Sequence, residues 1–469
     1  MKPGIRLLLI ISLITLTGAA MTAAARFSGL TTTLAGASDR LSVSGKLVQD
    51  KVLVGSNQPV SLSLTLNAAD ILGPESDSPA NSVDLVMVLD RSGSMNGDKI
   101  RYARQAVLNL LEQLGAEDRF ALVSYSDEVR LESSLVPVTP ANMARLQKTV
   151  SRIEPAGCTN LGAGLQEGLN LILADRDRKN AARLILISDG LANRGVTDVK
   201  TLSNMASAAV EREFSVSTVG VGADFNEYLM TSLADRGAGR YYFLNNPAAF
   251  AQTFENECRQ TRLVAVSGIS VHVPASDGVR LSHAAGYPIE YKDGEAVFYP
   301  GTLGSGQSRN LFLSFQVPTD SAATYRLGPI AVSYVADGAR HRIVLNPAFE
   351  IACIPDAEKV AASIQKDAWE KKVLQDDYGR LKEQVASDIK SGDREKAMDR
   401  IDAYRNRQSE LNARVGSAAV NENLNQALPQ LSRVVEETFK GEAEAVRRKQ
   451  AVQSKALQYE GYKSTRSQE

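Results

Sequence analysis

The chain has 469 residues, 43% of them hydrophobic and 23% charged, a globular composition long enough for roughly two to four domains and unlike that of a disordered chain. Lys and Arg number 53 against 54 Asp and Glu, a formal charge of −1, so no broad basic face points to nucleic acid or to an anionic surface. Partner choice must therefore lie in a local site.

At the N-terminus Lys2 and Arg6 precede the apolar stretch "LLLIISLITLTGAA", and Ala23 and Ala25 supply the small residues of a cleavage site. Residues 1–25 therefore read as a secretory signal peptide, which predicts an exported protein, periplasmic or extracellular. Left uncleaved, Leu7 to Ala25 would approach the roughly 20 apolar residues that span a bilayer and would tether the chain to the membrane. No other segment is apolar enough to span one. Export permits disulfides, and the three cysteines are Cys158, Cys258 and Cys353. Cys258 and Cys353 sit near two apparent domain junctions and could pair; three buried thiols are the alternative.

Residues 26–82 form an N-terminal β segment in which "LSVSGKLVQDKVLVGSNQPVSLSLTL" alternates with a period of two, followed by the linker-like "LGPESDSPANS". The character changes over 83–258. The strand runs "VDLVMVLD", "RFALVSYS", "ARLILISDG" and "FSVSTVGVG" are interleaved with "GDKIRYARQAVLNLLEQL", "ANMARLQKTVSRI", "LGAGLQEGLNLILAD" and "DVKTLSNMASAAVERE", whose apolar positions recur at helical spacing. Such alternation predicts an α/β domain, a doubly wound, mostly parallel sheet with helices on both faces.

Over 259–354 the period returns to two, in "LVAVSGISVHV", "EAVFYP", "NLFLSFQVP" and "IAVSYVAD", as in an antiparallel β-sandwich. The economical reading is one sandwich into which the α/β domain is inserted; two small flanking sheets would leave the same pattern. Residues 355–469 are rich in Ala, Glu, Lys, Gln and Arg and predict helices broken near Gly392 and Gly416, a hairpin or short bundle whose charges form a solvated face. Trp369, the lone tryptophan, falls there as a packing residue.

One apolar strand ends abruptly in oxygen-bearing residues. "VMVLDRSGSM" places Asp90, Ser92 and Ser94 at alternate positions after a buried run, and the carboxyl end of such a strand is where open α/β sheets expose their ligand crevice. "LILISDG" puts Asp189 at the end of another such strand, and "PAGCTNLGAGL" puts Thr159 in a Gly-containing loop before a helix. Converging at one sheet edge, Asp90, Ser92, Ser94, Thr159 and Asp189 would suit a small hard cation, Mg2+ with Mn2+ or Ca2+ as alternatives, because hydroxyls bring no charge and leave the ion electron-poor. The bland alternative is that Asp90 and Asp189 cap helices while Ser92 and Ser94 make a turn.

This order of segments resembles the von Willebrand factor A domain family and its metal-ion-dependent adhesion site: D-x-S-x-S at Asp90, Ser92 and Ser94, the threonine at Thr159 and the aspartate at Asp189. The resemblance covers about residues 83–258. It implies that Ser92, Ser94 and Thr159 coordinate the ion, that Asp90 and Asp189 act largely through water, and that an open position captures an acidic side chain of a protein partner. Cys158 departs from the pattern, standing where a second glycine is expected. The β-flanked, exported layout also resembles secreted bacterial proteins of this family and, more distantly, inter-alpha-trypsin inhibitor heavy chains, which favours adhesion or assembly of a complex.

Catalysis has less support. The three histidines, His272, His283 and His341, all fall in the later β region and in no zinc or triad motif. An aspartyl phosphotransferase would want a second acid where Ser92 stands, and "GTLGSGQS" lacks the Lys-Ser or Lys-Thr ending of a phosphate loop. The sequence thus predicts a non-enzymatic, cation-dependent binding module, or alternatively an envelope scaffold whose interface is the sandwich or the helical tail.

Overall fold

The computed structural model describes residues 33–71, 82–175, 180–189, 192–212, 214–222, 225–244, 263–276 and 278–466. The predicted signal peptide, most of the linker, Cys258 and the last part of the predicted α/β segment lie outside them.

Four strands come first: β1 (Leu34–Ala37), β2 (Leu41–Leu47), β3 (Lys51–Leu53) and β4 (Val60–Ala68). The α/β part then runs β5 (Val83–Asp90), α1 (Asp98–Leu111), β6 (Arg119–Tyr125), β7 (Val129–Pro137), α2 (Pro140–Ser151), α3 (Leu161–Asp175), β8 (Ala181–Ser188), α4 (Val199–Glu211), β9 (Ser215–Val221), α5 (Glu227–Arg236) and β10 (Ala238–Leu244). Its sheet has the order β10-β9-β8-β5-β6-β7, parallel throughout except for the edge hairpin of β6 and β7. Successive side chains of a strand point to opposite faces, so β5 divides its apolar run between two cores. Leu85, Met87 and Leu89 pack with Ile100, Val107 and Leu110 of α1 and Val150 of α2. Val86 and Val88 pack with Leu165 and Leu169 of α3 and Ala206 of α4. Burial on both faces is why this strand reads as continuous hydrophobicity rather than alternation.

The later strands are β11 (Val264–Pro274), β12 (Arg280–Ala284), β13 (Glu290–Lys292), β14 (Glu295–Gly304), β15 (Ser308–Gln316), β16 (Ala323–Leu327), β17 (Ile330–Ala336), β18 (Ala339–Leu345) and β19 (Phe349–Ile354). They complete a single sandwich with the N-terminal strands. One sheet has the order β1-β2-β4-β15-β12, with β4 and β15 antiparallel from Val60–Phe315 to Asn67–Ser308, and the facing sheet is β13-β14-β11-β17-β18. Leu62, Leu64 and Leu66 of β4 share one core with Val271 of β11, Phe315 of β15 and Val332 of β17. A third, small sheet, β16-β19-β3, departs from the antiparallel expectation: β3 runs parallel to β19, because both enter it from the same end. Cys353 in β19 is a buried free thiol, and Cys158 is exposed and free.

The helical part comprises α6 (Ala357–Ala362), α7 (Lys366–Lys371), α8 (Tyr378–Ser391), α9 (Arg394–Val415), α10 (Ala418–Glu422), α11 (Leu428–Thr438) and α12 (Ala443–Thr465), with π-helical turns joining α7 to α8 and α10 to α11. Gly392 and Gly416 close α8 and α9 with φ of +80° and +69°, the left-handed cap that glycine adopts without a Cβ penalty. Trp369, Val385, Ile389, Ile401, Leu428 and Val435 form its core, which extends onto Val48 and Phe312 of the sandwich. The charges are not all solvated, however. Lys455 and Arg466 are 2% and 5% exposed, because α12 docks them against the α/β part. Among the described residues no helix is long and apolar enough to cross a membrane.

Candidate metal centre

β5 and β8 are neighbours in the sheet, with Leu89 opposite Ile187, so Asp90 and Asp189 emerge at the same carboxyl edge. The helix after β5 covers one face and the helix after β8 the other, which opens a crevice between the two strand ends. Asp90 is buried in that crevice. Its Oδ1 accepts the Ser92 N–H at 2.8 Å and its Oδ2 the Ser188 hydroxyl at 2.6 Å. Ser92 and Ser94 meet hydroxyl to hydroxyl at 3.1 Å, and Ser94 donates to Asp189 Oδ1 at 2.8 Å. The Lys99 ammonium, from the first turn of α1, sits 2.5 Å from Asp189 Oδ2. Four of the five predicted residues thus lie in one hydrogen-bonded line.

The fifth, Thr159, is brought in through backbone. The loop before α3 is pinned to the D-x-S-x-S turn by the Ala156 N–H on Arg91 O at 2.7 Å and the Gly93 N–H on Gly157 O at 2.9 Å. Thr159 is buried, and its N–H donates to Asn193 Oδ1 at 2.8 Å, which ties the loop after β8 to the same edge. The unusual backbone of this loop falls on Gly157, with φ +75°, where a Cβ would stand 2.0 Å from Asp127 Oδ2. Cys158 has no positive φ, so the expected second glycine is not needed there. Its N–H instead donates to Asp127 Oδ2 at 3.2 Å, a bond that, with the Arg194 guanidinium, holds the Asp127 carboxyl below the usual range. Asp127 and Arg194 pair at 2.5 Å on the rim.

Burial dominates the electrostatics. It pushes the Asp90 carboxyl up to about 6; hydrogen bonds from Ser188 and Ser92 pull it partly back, and the charge of Asp189 pushes it further up. Burial also drives the Tyr125 phenol, beneath the site, well above its ordinary value, with the negative charge of Asp90 adding to the effect. Two buried carboxylates beside two hydroxyls make an oxygen-only donor set with net negative charge, which fits a small hard cation and offers nothing to a soft one. Among the described residues no group of three or more His, Cys, Asp and Glu gathers to hold a metal, here or elsewhere, so this donor set relies on two carboxylates and on hydroxyls.

Sequence reasoning missed Lys99, Ser188 and Asn193. Ser188 stands beside Asp189 in "ISDG", a visible signal; Lys99, within a helical pattern, and Asn193, in the stretch after "ISDG", carry no local mark of the site.

Residues 84–256 match the family profile described as von Willebrand factor type A domain. This segment is a von Willebrand factor type A domain. A 244-residue stretch is 26% identical to the uncharacterized protein YfbK of Escherichia coli K12, covering 48% of this chain and 42% of that protein. A further match is 31% identical over 202 residues to inter alpha-trypsin inhibitor heavy chain 4 of Mus musculus, covering 40% of this chain and 21% of that one. The chain thus spans less than half the length of these curated relatives. Among solved structures, a von Willebrand factor type A protein from Catenulispora acidiphila superposes with a TM-score of 0.61 at 16% identity, over 89% of this chain and 93% of that one. That likeness concerns the fold, and it extends well beyond the von Willebrand domain.

Proposed function

We propose that this protein is an exported, cation-dependent protein-binding module. A divalent ion, Mg2+ with Mn2+ or Ca2+ as alternatives, would be held by Asp90, Ser92, Ser94, Thr159 and Asp189 and would capture an acidic side chain of a partner. The observation that carries this reading is the hydrogen-bonded line from Ser188 through Asp90, Ser92 and Ser94 to Asp189 at one sheet edge. Von Willebrand factor type A domains are protein-interaction modules, some of them metal-dependent, which supports a protein rather than a nucleic acid as partner. Export rests on the N-terminal residues, and N-terminal sequencing of the mature protein tests it.

A binding role is favoured over catalysis by where the candidate nucleophiles stand. Ser270 and His272 of β11 and Glu295 of β14 do align, with 3.0 Å between Ser270 Oγ and His272 Nε2 and 3.1 Å between His272 Nδ1 and Glu295. Yet β11 is an inner strand, paired with β14 and β17 on its two sides, so the ladders use the amides that would have to form an oxyanion hole.

The test is titration of the full chain with Mn2+ after chelation, in wild type, Asp90→Ala and Ser92→Ala, followed by metal-dependent pull-down. Saturable binding lost in both folded variants supports the reading; binding retained in both refutes it. A scaffold reading has one observation in its favour. α12 bolts the helical part to the von Willebrand domain: Tyr462 and Arg466 engage Asp235 at 3.0 and 2.7 Å, and Lys455 donates to Phe225 O at 2.6 Å. Loss of partner capture on deleting 355–469, with Mn2+ binding intact, would favour it.

A further inference from the structure

Lys99 occupies a place that the proposed binding reaction must reckon with. Asp189 is fully buried and both its oxygens are engaged, Oδ1 by Ser94 at 2.8 Å and Oδ2 by the Lys99 ammonium at 2.5 Å. The lysine reaches it along a built path. α1 begins after Gly97, whose φ of +79° sets the turn, and the Lys99 stem crosses Gly222, also at φ +79°, where a Cβ would stand 2.9 Å from Lys99 Cε. Its side chain is 24% exposed while the carboxylate it holds is closed to solvent, so the ammonium stands at the mouth of the site with its charge turned inward.

We propose that Lys99 is an internal monovalent counterion that sets the charge of the metal centre, weakening its hold on a divalent ion and keeping the loaded site positive enough to attract a carboxylate. This inference rests on the metal-binding reading above. The charges argue it. With Asp90 and Asp189 ionised, a divalent ion balances the two carboxylates to zero in the absence of the lysine, and such a site has little net attraction for an acidic partner. With the Lys99 ammonium retained, the loaded site carries one net positive charge, which an incoming carboxylate neutralises. The same ammonium repels the ion and competes for Asp189, so metal and partner carboxylate bind best together. Such interdependence is a coupling free energy between two ligands, and it is reciprocal.

The experiment compares full-length wild type, Lys99→Met, Lys99→Gln and Lys99→Arg after exhaustive chelation, by calorimetric titration with Mn2+ alone and by the rise in thermal midpoint on adding Mn2+. Circular dichroism confirms the fold of each. Lys99→Met and Lys99→Gln are expected to bind Mn2+ at least roughly tenfold tighter than wild type, since even water-like screening leaves that much repulsion between a unit charge and a divalent ion a few ångströms apart. Lys99→Arg keeps the charge and should keep the wild-type affinity. A lysine that merely props up the fold would move affinity the other way, so weaker or unchanged binding in Lys99→Gln overturns the proposal. Should the Met variant not fold, the Gln variant, which keeps a hydrogen-bond donor for Asp189, decides alone. Equal binding in all four proteins sinks this inference and leaves the metal site standing; no binding in any of them sinks both.

Discussion

Replacing Asp90 by Asn should stabilise the metal-free protein while abolishing its affinity for divalent ions. The Asp90 carboxyl is fully buried, and burial moves it from an ordinary 3.8 up to about 6. At about 1.4 kcal/mol for each pH unit, that difference makes the ionised side chain cost about 3 kcal/mol of folding free energy. Because the folded-state value is the higher one, the folded protein binds this proton more tightly than the unfolded chain does. The group therefore costs nothing below about pH 4, costs progressively more from about pH 4 to 6, and costs its full amount above that. Asparagine has the same shape and no charge: Oδ1 keeps the Ser92 N–H, and the Ser188 hydroxyl can turn to accept from Nδ2. Scanning calorimetry in chelator at pH 4, 6 and 8 should show Asp90→Asn matching wild type at pH 4 and exceeding it by up to about 3 kcal/mol at pH 8. Saturating Mn2+ should reverse the order, since only wild type gains from binding. An Asn variant no more stable than wild type at pH 8, or equally stabilised at pH 4 and pH 8, would refute the burial argument.

Arg466→Ala removes one partner of an ion pair whose side chains are 6% and 3% exposed, and should cost about 3–5 kcal/mol in denaturant unfolding, with α12 becoming the first site of limited proteolysis. Gly164→Val drives a side chain into Tyr125, since even a Cβ there would stand 2.6 Å from its ring; thermal unfolding should register a loss of about 1–3 kcal/mol, and Mn2+ affinity should fall with it. Ser270 should not label with a fluorophosphonate probe, and labelling that disappears in His272→Ala would reopen the hydrolase reading.

Much of the candidate site's grouping was legible in the sequence, for a definite reason. A strand buried on both faces shows as an unbroken apolar run, so an aspartate at its end, as at Asp90 and Asp189, is conspicuous. Thr159 showed itself more weakly, as a hydroxyl in a Gly-containing loop before a helix that also fits a family pattern, and in the structure its loop is held by backbone bonds that leave no trace in residue type. Lys99 was illegible because helix position alone does not say that an adjacent strand end will present a buried carboxylate. The same holds for α12. Its Lys and Arg content is that of a solvated helix, and what makes Lys455 and Arg466 interior residues is Phe225, Glu227 and Asp235, more than two hundred positions away. The insertion was suggested by the return of period-two alternation, but its closure by β4 on β15 is a long-range pairing that local pattern cannot specify.

That closure also orders the protein's birth. Ser63 and Asn310, hydrogen-bonded across the seam of the sandwich, are 247 residues apart in sequence. Wherever the chain emerges N-terminus first, β1, β2 and β4 appear as part of a sheet with an unpaired edge and an uncovered apolar face, and they must wait until the entire von Willebrand domain has followed. Chains of this kind expose strand edges to their neighbours for as long as the wait lasts. The inserted domain has all its strand neighbours within itself and can fold during that interval, bringing the two halves of the sandwich close together before they have to find each other.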